Sequence, residues 1–205
     1  MDLLIATHNS GKVEEFARLL KGIDLRIVSL DDLDVRIEAP DETGATFVEN
    51  ALIKARYYHQ KTGLLALADD SGLEVDALGG KPGVYSARYA GAGASGPQMV
   101  ARLIDEIRNT PEPKRGARFQ CALALVGDGI EEVFEGSATG SIAHQPRGSG
   151  GFGYDPIFID TDTGKTFAEL STAEKSTRSH RGRALAKLYS YLRHSHCMNE
   201  EFLSN

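Results

Sequence analysis

Four short polar segments carry residue types that could bind an anion, hold a metal ion or receive a flat ring. The first, residues 7–12, is a Gly-containing turn between an apolar run and a helical pattern. A strand–loop–helix junction presents unpaired backbone N–H groups and the positive end of the helix dipole to an anion. Lys12 adds a point charge, and Thr7, Asn9 and Ser10 add short polar side chains, but the glycine spacing of a Walker A loop is missing. An ordinary turn with a surface lysine would contain the same residues.

Two adjacent carboxylates, Asp69 and Asp70, follow a compact apolar run at residues 64–68. We expect a buried strand that delivers both at its C-terminal end. Successive strand side chains point to opposite faces, so one carboxylate can meet a metal ion while the other braces the loop. Magnesium takes oxygen ligands and keeps several waters, so these carboxylates, with Glu42 as a possible second ligand, would suffice. The alternative is a capped turn with solvated aspartates.

The third segment places Phe152 between two glycines and continues into Tyr154 and Asp155. A flat ring beside polar groups is a suitable base-stacking platform, because stacking on an aromatic contributes ~1–3 kcal/mol per base. A tight turn whose two rings fill the core is the alternative.

The fourth segment contains the cationic or titratable residues Lys175, His180 and Arg181 near a helix start. They could contact phosphate or donate hydrogen bonds to a purine carbonyl. A solvated basic helix face would contain the same residues.

Composition limits the class of protein. A chain of 205 residues with 41% hydrophobic and 25% charged residues favours one globular domain, which can have two lobes. A net charge of −6 argues against a protein that coats nucleic acid, but not against one that binds a single nucleotide. No apolar run approaches the ~18 residues of a membrane span, and no secretory signal is recognisable. The two cysteines are far apart, which favours a reducing compartment and a cytoplasmic location.

Hydrophobic periodicity predicts alternating strands and helices, and therefore an α/β fold with a mixed sheet. An apolar run at residues 3–6 indicates a first strand, and alternation at 119–125 and 130–136 around a Gly-Asp-Gly turn indicates a hairpin. Three Ser or Thr residues precede a Glu or Gln by three positions and predict capping boxes at helix starts. They are Thr46, Ser95 and Ser171. The last helical region is expected to end at Leu192.

Six motifs between Leu3 and Leu192 occur in one order, and together they resemble the inosine triphosphate pyrophosphatase family, which acts on noncanonical purine nucleotides. They are Thr7-x-Asn9-x-x-Lys12; Glu42-Thr43-Gly44-x-Thr46-Phe47-x-Glu49-Asn50-Ala51-x-x-Lys54-Ala55; Ala68-Asp69-Asp70-Ser71-Gly72-Leu73; Pro82-Gly83-Val84-Tyr85-Ser86-Ala87-Arg88; Gly150-Gly151-Phe152-Gly153-Tyr154-Asp155-Pro156; and Glu174-Lys175 with Ser179-His180-Arg181.

The resemblance implies an elongated mixed β-sheet flanked by helices, with two lobes and a central cleft. It implies one catalytic domain over residues 1–193, followed by a C-terminal tail at 194–205. The implied reaction is hydrolysis of ITP, dITP or XTP to the nucleoside monophosphate and pyrophosphate, with Mg²⁺ as cofactor. Members are commonly homodimers, and nucleic acid and membrane are not expected partners.

The resemblance also implies roles for individual residues. Asp70 would be the proton acceptor and, with Glu42, a magnesium ligand, while Lys54 and Lys175 would contact phosphate. The triphosphate would be held by Thr7, His8, Asn9, Ser10, Gly11 and Lys12. The nucleoside would be held by Ser71, Phe152, Gly153, Tyr154, Asp155, His180 and Arg181. Position 8 differs among members, so His8 need not be catalytic.

Two other classes of protein stay open on the residues alone. One is a different nucleotide enzyme, such as a pyrophosphatase for modified pyrimidines or a general nucleoside triphosphate hydrolase. The other is a nucleotide-sensing module without catalysis. The joint presence of Asp69, Asp70 and Glu42 favours an enzyme, because a sensor has less need of a site for a metal ion and water.

Overall fold

The computed structural model describes residues 2–202, apart from the side chains of Ser10 and of residues 195–202. It contains six strands and five α-helices within that range. The strands are β1 (Asp2–Ile5), β2 (Arg26–Ser29), β3 (Leu65–Val75), β4 (Gly116–Gly127), β5 (Ile130–Ile142) and β6 (Phe158–Asp160). The helices are α1 (Ser10–Leu19), α2 (Phe47–Thr62), α3 (Gly96–Glu106), α4 (Thr172–Arg178) and α5 (His180–Phe202). Of the expected tail, residues 203–205 lie outside the described residues.

The six strands form one mixed sheet in the order β2-β1-β3-β4-β5-β6. Strand β1 is parallel to both β2 and β3, whereas β6 is antiparallel to β5. The register pairs Ile5 with Leu67, so the loop that leaves β1 begins beside the part of β3 that leads to Asp69. The expected α/β class with a mixed sheet is therefore confirmed, as is the β4–β5 hairpin.

The chain divides into two compact units. Within the described range the first unit comprises residues 2–70, 122–135 and 182–202, and the second comprises 71–121 and 136–181. The core of the first unit packs α2 through Ala51, Ala55 and Tyr58 against apolar strand residues. The core of the second unit is centred on three aromatic rings, with Phe119 4.6 Å from Phe158 and 5.8 Å from Phe167 between ring centroids.

All three predicted capping boxes are present. The side chains of Thr46, Ser95 and Ser171 accept a hydrogen bond from the third residue of α2, α3 and α4, and that residue reaches back to the cap. These local signals satisfy backbone donors that each helix start leaves unpaired. Within residues 2–202, no helix has the length and apolar character needed to cross a membrane.

Two expected element ends are wrong. Strand β3 does not end at the two carboxylates, Asp69 and Asp70, but continues to Val75, because Leu73 and Val75 are fully buried and hold the segment in the sheet. The last helical region is two helices, because Ser179 has an extended backbone with φ −66° and ψ 154°. Serine is favoured just before a helix, so Ser179 ends α4 and α5 begins after it, continuing past Leu192 to Phe202.

Arg115 is a fully buried residue of the second unit. The hydrogen bonds described for its guanidinium all go to backbone carbonyls. Its guanidinium donates to the carbonyls of Ile142 (2.7 Å), Ile107 (2.9 Å), Ala143 (3.1 Å) and Thr110 (3.3 Å). One of these carbonyls closes α3, where a cation is favourable against the helix dipole. Arg115 therefore joins the end of α3 to the end of β5.

We predict that Arg115→Met lowers the free energy of unfolding by about 3 kcal/mol, because several buried carbonyls lose their donor at once. Urea denaturation measures the change. Arg118→Met is the matched control, since Arg118 is exposed on β4, three residues after Arg115, and pairs with Glu74 at 2.6 Å; such a surface pair contributes at most about 1 kcal/mol. Equal losses in the two variants would contradict the role given to Arg115.

Candidate functional site

A group of opposite charges lies in the first unit, and we call it the carboxylate–lysine cluster: Lys12, Glu42, Lys54, Asp69 and Asp70. The Lys54 ammonium lies 3.0 Å from Glu42 Oε1 and 2.8 Å from Asp70 Oδ1. Glu42 comes from the loop before α2 and Asp70 from β3, so two separate stretches of chain bring carboxylate oxygens to one cation. All of these side chains are mostly buried.

The adjacent carboxylates of β3 take different partners, as alternation along a strand predicts. Asp69, whose side chain is fully buried, forms an ion pair with Lys12 in the first turn of α1. Asp70 pairs with Lys54 of α2. Because each carboxylate has its own lysine, two helices are tied to the same strand.

The loop at residues 7–12 has a defined shape. Asn9 is the N-cap of α1, and its side chain accepts a hydrogen bond from Lys12 N at 3.2 Å. Thr7 Oγ1 accepts from Asn9 N at 3.2 Å, and His8 Nε2 lies 3.3 Å from the buried Tyr58 hydroxyl. The predicted strand–loop–helix junction is therefore present, and it places Lys12 against Asp69.

In the carboxylate–lysine cluster, burial disfavours the charged form of each side chain, and the ion pairs favour it. Burial raises the pKa of the Asp70 carboxyl, although the charge of Lys54 acts in the opposite direction. Burial also opposes the charge on Lys54, but Asp70 and Glu42 outweigh it and raise the pKa of the ammonium. With three carboxylates and two lysines, the cluster has an excess of negative charge and favours an additional cation.

The donor set suits a hard divalent ion. Among the described residues, no group of three or more His, Cys, Asp or Glu side chains is arranged to hold a metal. Glu42 and Asp70 supply two carboxylates near one point, and Mg²⁺ usually takes one or two carboxylates and completes its shell with water and substrate phosphate. The pair therefore fits Mg²⁺ better than an ion that needs a full protein cage.

The second unit carries an exposed ring beside a buried ion pair, and we call this the Phe152 cluster: Phe152, Asp155, Lys175 and Arg181. The ring is 41% exposed and has Lys175 Nζ 5.1 Å and the Arg181 guanidinium 5.7 Å from its centroid. Asp155 accepts from Phe152 N at 2.7 Å and from Lys175 Nζ at 2.5 Å. Burial raises the pKa of the Asp155 carboxyl, with Lys175 opposing.

Gly151 is required by the close packing of this loop. Its φ is +70°, and a Cβ there would overlap Asp155 Oδ2 and lie 3.0 Å from Lys175 Nζ. A larger residue would be strained in the backbone and would collide with the ion pair. The glycine therefore lets the Asp155 carboxylate hold the Phe152 backbone in place.

The other residues that were predicted to bind the nucleoside are largely buried in the second unit. Tyr154 donates to Ser86 O at 3.0 Å, and the His180 ring stacks on Phe119 with centroids 4.5 Å apart. Arg181 Nη2 donates to Ser71 Oγ at 2.9 Å, so the structure brings together two predicted residues that are 110 positions apart. Their proposed contacts with substrate stay predictions.

Sequence reasoning missed one residue that contacts the carboxylate–lysine cluster. Asn50 is fully buried and its Nδ2 donates to Asp70 Oδ2 at 3.3 Å. The available signal was its spacing: Asn50 and Lys54 are four residues apart, which places them on one face of α2. Nothing in the local sequence indicated that this face meets β3.

Known proteins resemble this chain over nearly its whole length. The statistical model of the Ham1 family matches residues 3–191. A dITP/XTP pyrophosphatase of Yersinia pseudotuberculosis is 52% identical over 194 residues, covering 93% of this chain and 98% of the relative. One from Shigella flexneri is 49% identical over 194 residues, with the same coverage of 93% and 98%.

Solved structures agree with these relatives. A HAM1 protein from Coxiella burnetii superposes with a TM-score of 0.87 at 40% identity, covering 95% of this chain and 99% of the other. A nucleoside-triphosphatase / dITP/XTP pyrophosphatase from Mycobacterium abscessus superposes with a TM-score of 0.75 at 48% identity, covering 92% and 98%.

Proposed function

The chain belongs to the Ham1 family, and we propose that it hydrolyses noncanonical purine nucleoside triphosphates such as ITP, dITP and XTP to the monophosphate and pyrophosphate. The relatives named dITP/XTP pyrophosphatases agree with the resemblance that the sequence motifs predicted. The observation that carries the proposal is the meeting of Glu42 and Asp70 at Lys54, with Lys12 on the neighbouring carboxylate. Such a site offers both oxygen ligands and cations to a metal-bound polyphosphate.

We propose that Glu42 and Asp70 hold the Mg²⁺ ion. An ion held there would supply positive charge that offsets the charge developing on the phosphate oxygens. Asp70 would accept the proton of the water that attacks the α-phosphorus.

The lysines would act on the leaving group. Lys12 and Lys54 would place ammonium groups against the pyrophosphate as its negative charge increases, and Lys175 would contact phosphate as well. The loop at residues 7–12 would add backbone donors at the N-terminus of α1. In the structure, carboxylate partners hold the ammonium groups of Lys12 and Lys54 at defined positions.

The Phe152 cluster would receive the purine. The exposed ring would stack on the base, and His180 or Arg181 would donate a hydrogen bond to the 6-oxo group. Adenine has an amino group at that position, so a buried donor would lose its partner, and such mismatches are strongly discriminated. Guanine retains the carbonyl, so its 2-amino group must be rejected by a separate contact.

Three finer features are proposals that rest mainly on the family resemblance. The metal would be Mg²⁺, the chain would assemble as a homodimer, and it would act in the cytoplasm. The pair of carboxylate ligands supports the choice of metal.

The first prediction for this function concerns substrate choice. With Mg²⁺, ITP, dITP and XTP should release pyrophosphate at least about 100-fold faster than ATP, as expected when a buried donor loses its partner. They should also react faster than GTP, whose 2-amino group must be rejected by a separate contact. Pyrophosphate detection on a nucleotide panel, with and without EDTA, measures this, and the chelator should stop turnover. Release of orthophosphate or a preference for pyrimidines would indicate a different enzyme, and tight binding without turnover would indicate a sensor.

The second prediction concerns Asp70. Asp70→Asn should keep its fold and lose turnover by about 100-fold or more, because the proton acceptor and a charged metal ligand are removed together. Steady-state kinetics with ITP and circular dichroism give the two measurements. Asp128→Asn is the control, since its side chain is fully exposed in the β4–β5 turn. Wild-type turnover by the Asp70 variant would refute the assignment.

The third prediction concerns Phe152. Phe152→Ala should raise KM for ITP about tenfold with a smaller effect on kcat, because a lost base–aromatic stack costs ~1–3 kcal/mol. Tyr85→Ala is the matched control, as Tyr85 is another exposed aromatic residue of the second unit. If both variants keep the wild-type KM, the base does not stack on this ring.

A further inference from the structure

Asn50 connects the two segments that carry the proposed metal ligands. It lies fully buried near the start of α2. Its Oδ1 accepts from Gly44 N at 2.8 Å, two residues from Glu42, and its Nδ2 donates to Asp70 Oδ2 at 3.3 Å. The carbonyl oxygen faces an N–H and the amide nitrogen faces a carboxylate, so chemistry fixes the orientation of this side chain.

The two oxygens of Asp70 have different partners on the same helix. Oδ1 accepts from Lys54 at 2.8 Å and Oδ2 accepts from Asn50. Asn50 and Lys54 are four residues apart and lie on one face of α2. Because both oxygens are held, the plane of the carboxylate is fixed, with Oδ1 directed to the point where Glu42 also arrives.

Gly44 allows the loop that carries Glu42 to approach α2 closely. A Cβ at this position would lie 2.7 Å from Asn50 Oδ1 and 2.7 Å from Glu49 Cβ. Next to it, Glu49 Oε2 accepts from Ala45 N at 2.6 Å and from Thr46 N at 3.1 Å. The start of α2 therefore holds the loop by three consecutive backbone N–H groups, and Asn50 binds the one nearest to Glu42.

We propose that Asn50 is a positioning residue that sets Asp70 and the Glu42 loop in the geometry required for divalent-metal binding. This inference rests on the proposed function, since it assigns Asn50 to the metal site of that reaction. Asn50 does not touch the metal or substrate; it acts through Asp70 and Gly44. Residues that orient metal ligands typically contribute about 10–100-fold to metal affinity or activity.

The test is Asn50→Leu, whose side chain has the same number and branching of heavy atoms but forms neither hydrogen bond. The affinity for Mn²⁺, used as a paramagnetic probe without substrate, should fall about tenfold, and kcat for ITP should fall by a similar factor. Electron paramagnetic resonance of unbound Mn²⁺ gives the affinity at a temperature well below the melting point of the variant. A variant that is less stable but still folded at that temperature would keep its Mn²⁺ affinity, so stability loss alone cannot explain a lower affinity.

Val28→Ala is the matched control, because it removes buried volume from the core of the same unit on β2, a strand that β1 separates from β3. It should melt earlier and keep the wild-type Mn²⁺ affinity. An Asn50→Leu variant that is folded, with Mn²⁺ affinity and kcat within about twofold of wild type, would overturn the proposal. Failure of the wild-type protein to bind Mn²⁺ or hydrolyse ITP would instead count against the proposed function.

A second variant covers the case in which Asn50→Leu does not fold. Asn50→Asp has the same shape and retains an acceptor for Gly44 N, but replaces the donor that faces Asp70 with a like charge. Its kcat should fall about tenfold or more because Asp70 turns away from the repulsion. A folded Asn50→Asp variant whose Mn²⁺ affinity without substrate and kcat are both within about twofold of wild type would overturn the proposal.

Discussion

Lys54 is the charge on which the arrangement of the first unit depends. Carboxylates removed from water are strongly unfavourable unless a cation and hydrogen bonds compensate them, and Lys54 compensates both Glu42 and Asp70. The same ammonium marks where positive charge is most favourable. Under the proposed function, the side chains that stabilise the fold are also those that would bind the metal ion and the polyphosphate, so a substitution in this cluster would change both stability and catalysis.

The second unit uses a buried carboxylate in a similar way for a different purpose. Asp155 holds the Phe152 backbone and pairs with Lys175 of α4, and Gly151 leaves room for that contact. The Asp155 carboxylate lies inside the loop, whereas the Phe152 ring is exposed at the surface with two cationic side chains near it. The first unit thus presents oxygen ligands, whereas the second presents a flat apolar face suited to a base.

Signals that act over a few residues were predictable from sequence, and contacts between distant segments were not. The capping boxes at Thr46, Ser95 and Ser171 and the β4–β5 turn depend only on near neighbours, and all were predicted. The continuation of β3 past Asp70 depends on burial of Leu73 and Val75 in a core formed by later segments, which no local pattern reveals. Asn50 was missed for the same reason, and the break at Ser179 was hidden by continuous helical periodicity on both sides. The six motifs together identified the family, because residues from distant segments that meet in one fold occur in a fixed order along the chain. A single short spacing carries no such information.

The continuation of β3 through Asp69 and Asp70 restricts how this protein can change during evolution. The two carboxylates face different lysines only because they occupy consecutive positions of a strand whose register is set by pairing with β1. A single-residue insertion or deletion between Leu67 and Asp69 would exchange their faces and present each lysine with the wrong neighbour. Divergence of this segment can therefore proceed by replacing side chains but not by altering its length, whereas connecting loops elsewhere tolerate such changes.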